Sequence, residues 1–591
     1  MLFMRRKAWD NQKKSLYLQP RCIRNEDNYY SMKRILFFLC GLLPLVVMAG
    51  GISNQPRTVS VAKFGARPDD GKSDTEALRR AAAYCRKHPQ TTLLFPAGTY
   101  QLDDPVAIDI ERRAISGALG RGLEVQWALF QPQKPYVTGL DFTGCEGLTI
   151  EARGARLVVE GWMQVLSFVG CKGVKMNGME ITYRRPAATE GKVVRTSEKD
   201  FDIEYDPALY TYIDSIVQGR YYFYSSERRH FYYGGIQEAE LLRPGLVRMT
   251  SKVQPPVGDI CVIRYGGHYR PCVMLRESED ITLRGLSIRS YPGMGVVGHL
   301  CHNILIDSLN VIPEEGRVSS TSTDATHFTS CSGDLTISHS FFAGNGDDCT
   351  NIHNYYWHIT PDASDLSRIE VRVEGADLHA QALDYPLVGD TLILLNRRNM
   401  QEVGRFVTRS CNTNAEAWRV DVTLDHPLPT ADCNQLLMYN YSRFPRVQIL
   451  NNVDDYNNGR AFLLKARDVV VRGNRIGRST LSAIKLGAEL SWHEAGPVEH
   501  VVVEDNDIRG AGTDSGYRAT GVMVTTESPE MPLHVNRNIL IRNNHIEGSH
   551  SVAILLHDVQ DVEIYGNTFV NGHEIQQRNC RDIRLGNNRY Q

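Results

Sequence analysis

The chain has 591 residues, with 66 Lys and Arg set against 68 Asp and Glu for a formal net charge of −2. That balance argues against nucleic acid or an anionic membrane as partner and suits a neutral or weakly charged ligand. The length accommodates several domains, or one continuous solenoid core.

Residues Ile35 to Ala49 form an apolar run preceded by Lys33 and Arg34, broken by Gly41 and Pro44, and closed by the small residues Ala49, Gly50 and Gly51. A run this short reads as a secretory signal, not a spanning helix. Met32 is the expected start, with the signal ending near Ala49 or Gly50 and residues 1–31 an upstream extension. The mature protein is then secreted or periplasmic and has no membrane span. Of 13 cysteines, eleven follow this segment without metal-ligand spacing. Cys145, Cys171, Cys301 and Cys331 recur just before strand-like segments, so they are expected as small buried residues in a stack, with few disulfides and no structural metal.

Next comes a lid, because an open solenoid would expose its core. Asp69-Asp70-Gly71 leads into Glu76-Ala77-Leu78-Arg79-Arg80-Ala81-Ala82-Ala83, a short helix capped by Ser73 or Asp74. Phe95-Pro96-Ala97-Gly98-Thr99-Tyr100 then opens the coils.

From residue 140 a phrase recurs: a polar residue, alternating or apolar positions, two small or polar residues, and often Asn. Asp468-Val469-Val470-Val471-Arg472-Gly473-Asn474, Asn538-Ile539-Leu540-Ile541-Arg542-Asn543-Asn544 and Asp561-Val562-Glu563-Ile564-Tyr565-Gly566-Asn567 are clear copies. Neighbouring copies lie 21 to 23 residues apart (Val562 to Ile583, Ile539 to Val562). Short β-branched strands closed by Asn or Gly at this period predict an all-β, right-handed parallel β-helix whose Asn side chains stack from coil to coil.

Two stretches break the repeat and share the phrase Val257-Gly258-Asp259 and Val388-Gly389-Asp390. They read as two related small β-barrels inserted on one side, where they can wall a pocket. The expected order is residues 1–51 as extension and signal, 58–184 as cap and first coils, 185–265 as the first barrel, 266–355 as catalytic coils, 356–441 as the second barrel, and 442–591 as the last coils.

Asp324 lies 24 residues before Asp348, which follows Asp347 in Gly344-Asn345-Gly346-Asp347-Asp348-Cys349. That is about one coil, so the two fall on adjacent rungs roughly 4.8 Å apart. Consecutive strand residues point to opposite faces, so Asp347 and Asp348 share a cleft only where the strand begins or bulges, which Gly346 permits. Three crowded carboxylates favour one of them keeping a proton, and glycoside hydrolysis needs such a protonated carboxyl beside ionised ones. Asp347 is the expected acid, with Asp324 and Asp348 holding the attacking water as base.

Thr323-Asp324 and Gly346-Asp347-Asp348-Cys349 resemble the catalytic signatures of polygalacturonases, and the entrance segment resembles pectate-lyase-like β-helix proteins. The Gly-His-Gly and Arg-Ile-Lys signatures expected downstream are absent, apart from Ala483-Ile484-Lys485, which argues against a pectin-like substrate. Taken with the two inserts, Thr-Asp-Ala-Thr-His-Phe and Gly-Asp-Asp-Cys-Thr-Asn-Ile-His, the mature chain resembles glycoside hydrolase family 110. The resemblance implies an inverting bacterial exo-α-1,3-galactosidase acting on terminal galactose of blood-group B and linear epitopes. It also implies no cofactor or metal, terminal α-galactosyl glycans as partner, and a homodimer as the assembly to test.

His327, Asn351 and His353 share rungs with the aspartates, and Lys465 and Lys485 fall in the same column on later coils; all five are candidate sugar contacts. Trp492 and Tyr221-Tyr222-Phe223-Tyr224 could stack on sugar, although the core suits most of them better; His268 and Arg270 are weaker candidates. Rival readings are a polysaccharide lyase on the same fold, which would need a calcium cage or a basic proton acceptor, and a non-catalytic carbohydrate-binding β-helix.

Overall fold

A computed structural model describes residues 57–591, apart from 121–122, 130–133, 135, 214–219, 266–268, 374–381, 416, 514–518, 531–534, 549–550 and 573. The extension, the signal segment and His268 lie outside the described residues. Thirty-three of the strands form one hydrogen-bonded system whose members pair in parallel from each coil to the next, with one short antiparallel exception beside the site. This is the right-handed parallel β-helix that the repeat predicts. No helix among the described residues is long and apolar enough to cross a membrane.

The repeat phrase explains how each coil turns. Its opening residue, such as Asp280, Asn303, Asp468, His500, Asn538, Asp561 or Asp582, sits in the left-handed region with φ between 53° and 56°. Asn, Asp and His tolerate that conformation better than most side chains. Three or four alternating residues follow, with one set facing inward: Val469 and Val471, Val501 and Val503, Ile539 and Ile541, and Val562 and Ile564 are all buried. The coil then bends at the asparagine predicted to stack. Asn452, Asn474, Asn506, Asn544, Asn567 and Asn588 form a ladder in which each Nδ2 donates to the Oδ1 of the next, at 2.9–3.1 Å. From Asn474 onward each Nδ2 also reaches a main-chain carbonyl of the preceding coil. Buried amides that exchange bonds in this way fix the register of every coil they join. Cys145, Cys171, Cys301 and Cys331 are buried in the same core.

At the N-terminal end the helix Thr75–Lys87 covers the first coils with Ala77, Leu78, Ala81 and Ala82. Asp74 occupies its N-cap, its main-chain carbonyl accepting from Leu78 N–H while its side chain makes no bond to the helix. Its carboxylate instead accepts the main-chain N–H groups of Arg67 (2.8 Å) and Gln101 (3.0 Å), tying the entrance loop to the first coil. A second helix, Pro105–Ile115, and a short third, Leu123–Leu129, were not read from the sequence. Asp104 accepts from the N–H groups of Val106 and Ala107, and Pro105 occupies the first turn, so Asp-Pro was the available signal.

The two inserts are antiparallel sheets. The first has seven strands, from Ala188–Thr196 to Ile260–Arg264. The second has six, from His358–Asp362 to Leu436–Asn440, and Trp357 exchanges both main-chain bonds with Met438, drawing its first and last strands together into a barrel. Their shared phrase is one turn used twice. Gly258 and Gly389 both have positive φ, and their N–H groups donate to Val193 and Thr408. Val193 and Thr408 in turn donate to the carbonyls of Asp259 and Asp390.

Both inserts pack on the β-helix, the first on the coil of Asp347 and the one after it, the second on two earlier coils. Tyr222, Tyr224 and Phe231 of the first pack with Ala343 and Tyr456. Ala382, within the second insert, packs with Met274, Met294 and Val297.

Candidate active site

The site is built on one column of parallel strands. Thr326–Thr329 pairs with Thr350–Tyr355, which pairs with Phe462–Leu464, which pairs with Ile484–Leu486. In that register His327 stands opposite Asn351, Asn351 opposite Leu463, and Leu463 opposite Lys485. The backbone bonds Ala325 N to Asp348 O (3.0 Å) and Cys349 N to Arg460 O (3.0 Å) carry the register back along the preceding bend. Asp324, Asp348 and Arg460 thus occupy equivalent places on three successive rungs.

Asp347 and Asp348 lie in the bend before the strand, which is how neighbours in sequence come to share one recess. Carboxylate oxygens of Asp324, Asp347 and Asp348 all lie within 4.8 Å of one another. Two glycines allow the rungs to close this tightly. A Cβ at Gly346 would fall 2.2 Å from the Ser322 carbonyl oxygen, and one at Gly459 would fall 2.5 Å from Asp348 Oδ1. Gly346 therefore serves by close approach, not by a left-handed turn. Arg264, the last residue of the first insert, donates to the carbonyls of Gly346 (2.9 Å) and Ser322, and so clamps both rungs.

The three carboxyl groups differ. Asp348 accepts the main-chain N–H of Arg460 (2.6 Å) and its guanidinium (3.2 Å). Asp324 is bonded to His327 Nδ1 at 2.6 Å. Among the described residues nothing hydrogen-bonds to the Asp347 carboxyl group, which is also the most exposed of the three. Burial, then Asp348 and Asp324, hold Asp347 well above the usual carboxylate range, against the pull of Arg264 and Arg460. Burial, then Asp348 and Glu494, do the same to Asp324. Asp348 is raised as well, again chiefly by burial, but Arg460 and its N–H work against the rise.

Beside the trio lies a buried ionic cluster only partly foreseen. Lys465 Nζ contacts Asn351 Oδ1 (3.2 Å), Glu489 (3.2 Å) and Glu494. Lys485 is paired with Glu489, and Arg460 bridges Glu489 (3.2 Å) and Asp348 (3.2 Å). Asn351 Nδ2 donates to Glu494 Oε1 at 3.2 Å. Burial opposes ionisation of Glu489, but Lys465, Arg460 and Lys485 together hold it well below its ordinary range. Against the same burial, Lys465 and His353 bring Glu494 down to about 2. Three cations thus match Asp348, Glu489 and Glu494. Asp324 and Asp347, both held well above the usual carboxylate range, have no Lys or Arg bonded to their carboxyl groups among the described residues.

All eight residues predicted for the site converge: Asp324, Asp347, Asp348, His327, Asn351, His353, Lys465 and Lys485. Arg264, Arg460, Glu489 and Glu494 were missed. Arg460 would have emerged from phasing the repeat across the second insert, since Gly459-Arg460-Ala461-Phe462 falls on Asp347-Asp348-Cys349-Thr350. The glutamates lie in an irregular hairpin, Glu489 to Glu494, whose last strand pairs antiparallel with Thr350–Tyr355. Of the aromatic candidates, Tyr222 and Phe223 are core, and Trp492 is 52% exposed. Arg270 is buried with its guanidinium over the Tyr136 ring. A separate hollow of about 720 Å³, lined in part by Arg153, Arg156, Glu180 and Asp307, shares no residue with the aspartate rungs.

No family model matches the chain. Among curated proteins it is similar to the α-1,3-galactosidase A of Bacteroides fragilis, at 25% identity over 84% of each chain. It is likewise similar to the α-1,3-galactosidase A of Shewanella woodyi, at 25% identity over 90% of this chain and 89% of that one. The α-1,3-galactosidase B of Bacteroides thetaiotaomicron matches at 22% identity over 93% of each. Among solved structures, an exopolygalacturonase of Thermotoga maritima aligns over 90% of this chain and 92% of its own, at 12% identity and a TM-score of 0.36. The curated relatives are glycosidases and align along most of their length, and this chain is a glycosidase built on a parallel β-helix.

Proposed function

We propose that the protein is an exo-acting hydrolase that removes terminal α-1,3-linked galactose from blood-group B type and linear α-1,3-galactosyl glycans, with inversion at the anomeric carbon. One observation carries the reading: three buried or half-buried carboxyl groups, one of them bonded by the Arg460 guanidinium, meet within 4.8 Å on adjacent rungs. The galactose assignment rests on the names of the relatives.

Asp347, unbonded and half-buried, gives its proton to the departing glycosidic oxygen. Asp324 and Asp348 present two acceptors about one rung apart. A single water with two bonds of about 2.8 Å spans roughly 4.6 Å, so it fits between them with its lone pair turned to the sugar. Both carboxyl groups are tied, one to His327 and the other to Arg460. A tied group holds water well and is poorly placed to swing onto carbon, which favours direct displacement over a covalent intermediate. Of the cluster, Glu494 keeps the most exposed edge and offers an acceptor to a sugar hydroxyl. Lys465 is fully buried with its ammonium on Asn351, Glu489 and Glu494, and Lys485 is paired with Glu489, so both lysines hold the carboxylates in place. The lyase reading loses support because both lysines are paired with carboxylates and so are poor bases. Export to the periplasm or beyond fits a glycan substrate.

Linear α-1,3-galactobiose and a fucosylated blood-group B trisaccharide, followed by proton NMR during turnover, test the reading. Galactose should appear first as the β-anomer from both. First appearance of α-galactose overturns inversion, and absence of galactose overturns the substrate.

A further inference from the structure

His327 and His353 stand diagonally across two rungs, and their Nε2 atoms are 2.9 Å apart. Two lone pairs would repel at that distance and two N–H groups would collide, so one proton lies between them. His353 Nδ1 is 2.7 Å from the main-chain carbonyl of Asn354, which can only accept, so a second proton sits on that nitrogen. The third bond, His327 Nδ1 to Asp324 Oδ2 at 2.6 Å, also needs a proton. Three bonds require three protons, and two neutral imidazoles supply two. The row therefore carries one proton more than neutral rings beside an ionised Asp324.

On the proposed glycosidase reading, we propose that His327 and His353 are positioning residues whose ordered hydrogen bonds keep Asp324 neutral, leaving Asp348 as the carboxylate that receives the proton of the attacking water. The tautomers follow from the far end. With Nδ1–H given to Asn354, His353 Nε2 accepts, His327 Nε2 donates, His327 Nδ1 accepts, and the carboxyl of Asp324 donates. Burial favours this placement over an imidazolium, pulling His327 down to about 4 and His353 to about 3. The charged and titratable groups facing the row are Asp347, Asp348, Glu494, Lys465, His299 and Tyr355, whose ring stands edge-on to His353. Glu494 Oε1 lies 3.5 Å from His353 Nε2, beside the bond the two rings share, and it is already matched by Lys465.

In the resulting step, water loses a proton to Asp348 as its oxygen bonds to the anomeric carbon. Asp347 gives its proton to the leaving oxygen as that carbon–oxygen bond breaks. Asp324 accepts a hydrogen bond from the remaining water hydrogen at the oxygen not bonded to His327 and changes charge at no stage. A neutral Asp324 also spares Asp347 a second negative neighbour, which would otherwise tighten its hold on the proton.

Neutron diffraction on the resting protein tests the proton count without any turnover. Deuterium should appear between the two Nε2 atoms, on His353 Nδ1, and between His327 Nδ1 and Asp324. A map without deuterium between Asp324 and His327, or with His353 Nδ1 bare, overturns the proposal even if the enzyme cleaves galactosides. The pH dependence of kcat supplies the functional arm. His353→Phe frees His327 to turn its proton toward an ionised Asp324, so the basic limb should move up by about one pH unit or more. His353→Gln, whose carbonyl can still accept from His327, should restore the original limb. A lower kcat with an unmoved limb in His353→Phe would make these histidines structural only. No cleavage by the wild-type chain would sink the glycosidase reading while leaving the neutron result to judge the proton row.

Discussion

Replacing Asp347 by Asn should lower kcat on a disaccharide by about 10²- to 10⁴-fold, the usual contribution of a positioned general acid. KM should change little, because Asp347 makes no hydrogen bond among the described residues and its removal leaves the pocket intact. An aryl galactoside with a good leaving group needs less help from an acid, so on that substrate the loss should be much smaller. Asp348→Asn should differ in kind, losing both substrates about equally, since water must be activated whatever departs. These four rates separate the roles. Near-normal activity in Asp347→Asn alongside dead Asp324→Asn and Asp348→Asn would mean that the acid is another group.

Glu489→Gln should be among the most destabilising single changes near the site. Glu489 is 3% exposed and touches Lys465, Lys485 and Arg460. Removing its charge leaves buried cations short of one anion, and breaking a buried ion pair in this way costs about 3–5 kcal/mol. Calorimetry should show a fall in Tm of several degrees, or protein that no longer accumulates in folded form. Pairing the change with Lys485→Met removes a matching cation and should recover part of the loss. A single variant as stable as the parent would mean that the cluster is solvated and is not the dry pocket described.

What could be read from the chain beforehand follows from how local each signal is. Coils written by β-branched triplets and a closing Asn are local statements, so strands such as Arg467–Arg472 and Asn536–Arg542 were legible, as was the asparagine ladder. The aspartates were legible because the spacing of Asp324 and Asp348 equals one uninterrupted coil. Arg460 was not, because the second insert sets it 112 positions from the Asp348 it binds. The histidine pair escaped for a geometric reason: direct register sets His327 beside Asn351 and Thr329 beside His353, and the contact that matters runs diagonally between them. Glu489 and Glu494 belong to an irregular hairpin that no period describes. The helix at Pro105–Ile115 was lost among coil-like residues despite the Asp-Pro at its start.

The central claim is that a terminal sugar lies over the two rungs bearing Asp324, Asp347 and Asp348. A crystal structure of the Asp347→Asn variant soaked with α-1,3-galactobiose tests it most directly. The expected map places the glycosidic oxygen beside residue 347, the anomeric carbon over the gap between Asp324 and Asp348, and a sugar hydroxyl against Glu494. A disaccharide seated instead in the hollow beside Arg153 and Glu180, or touching none of the three aspartates, would contradict it.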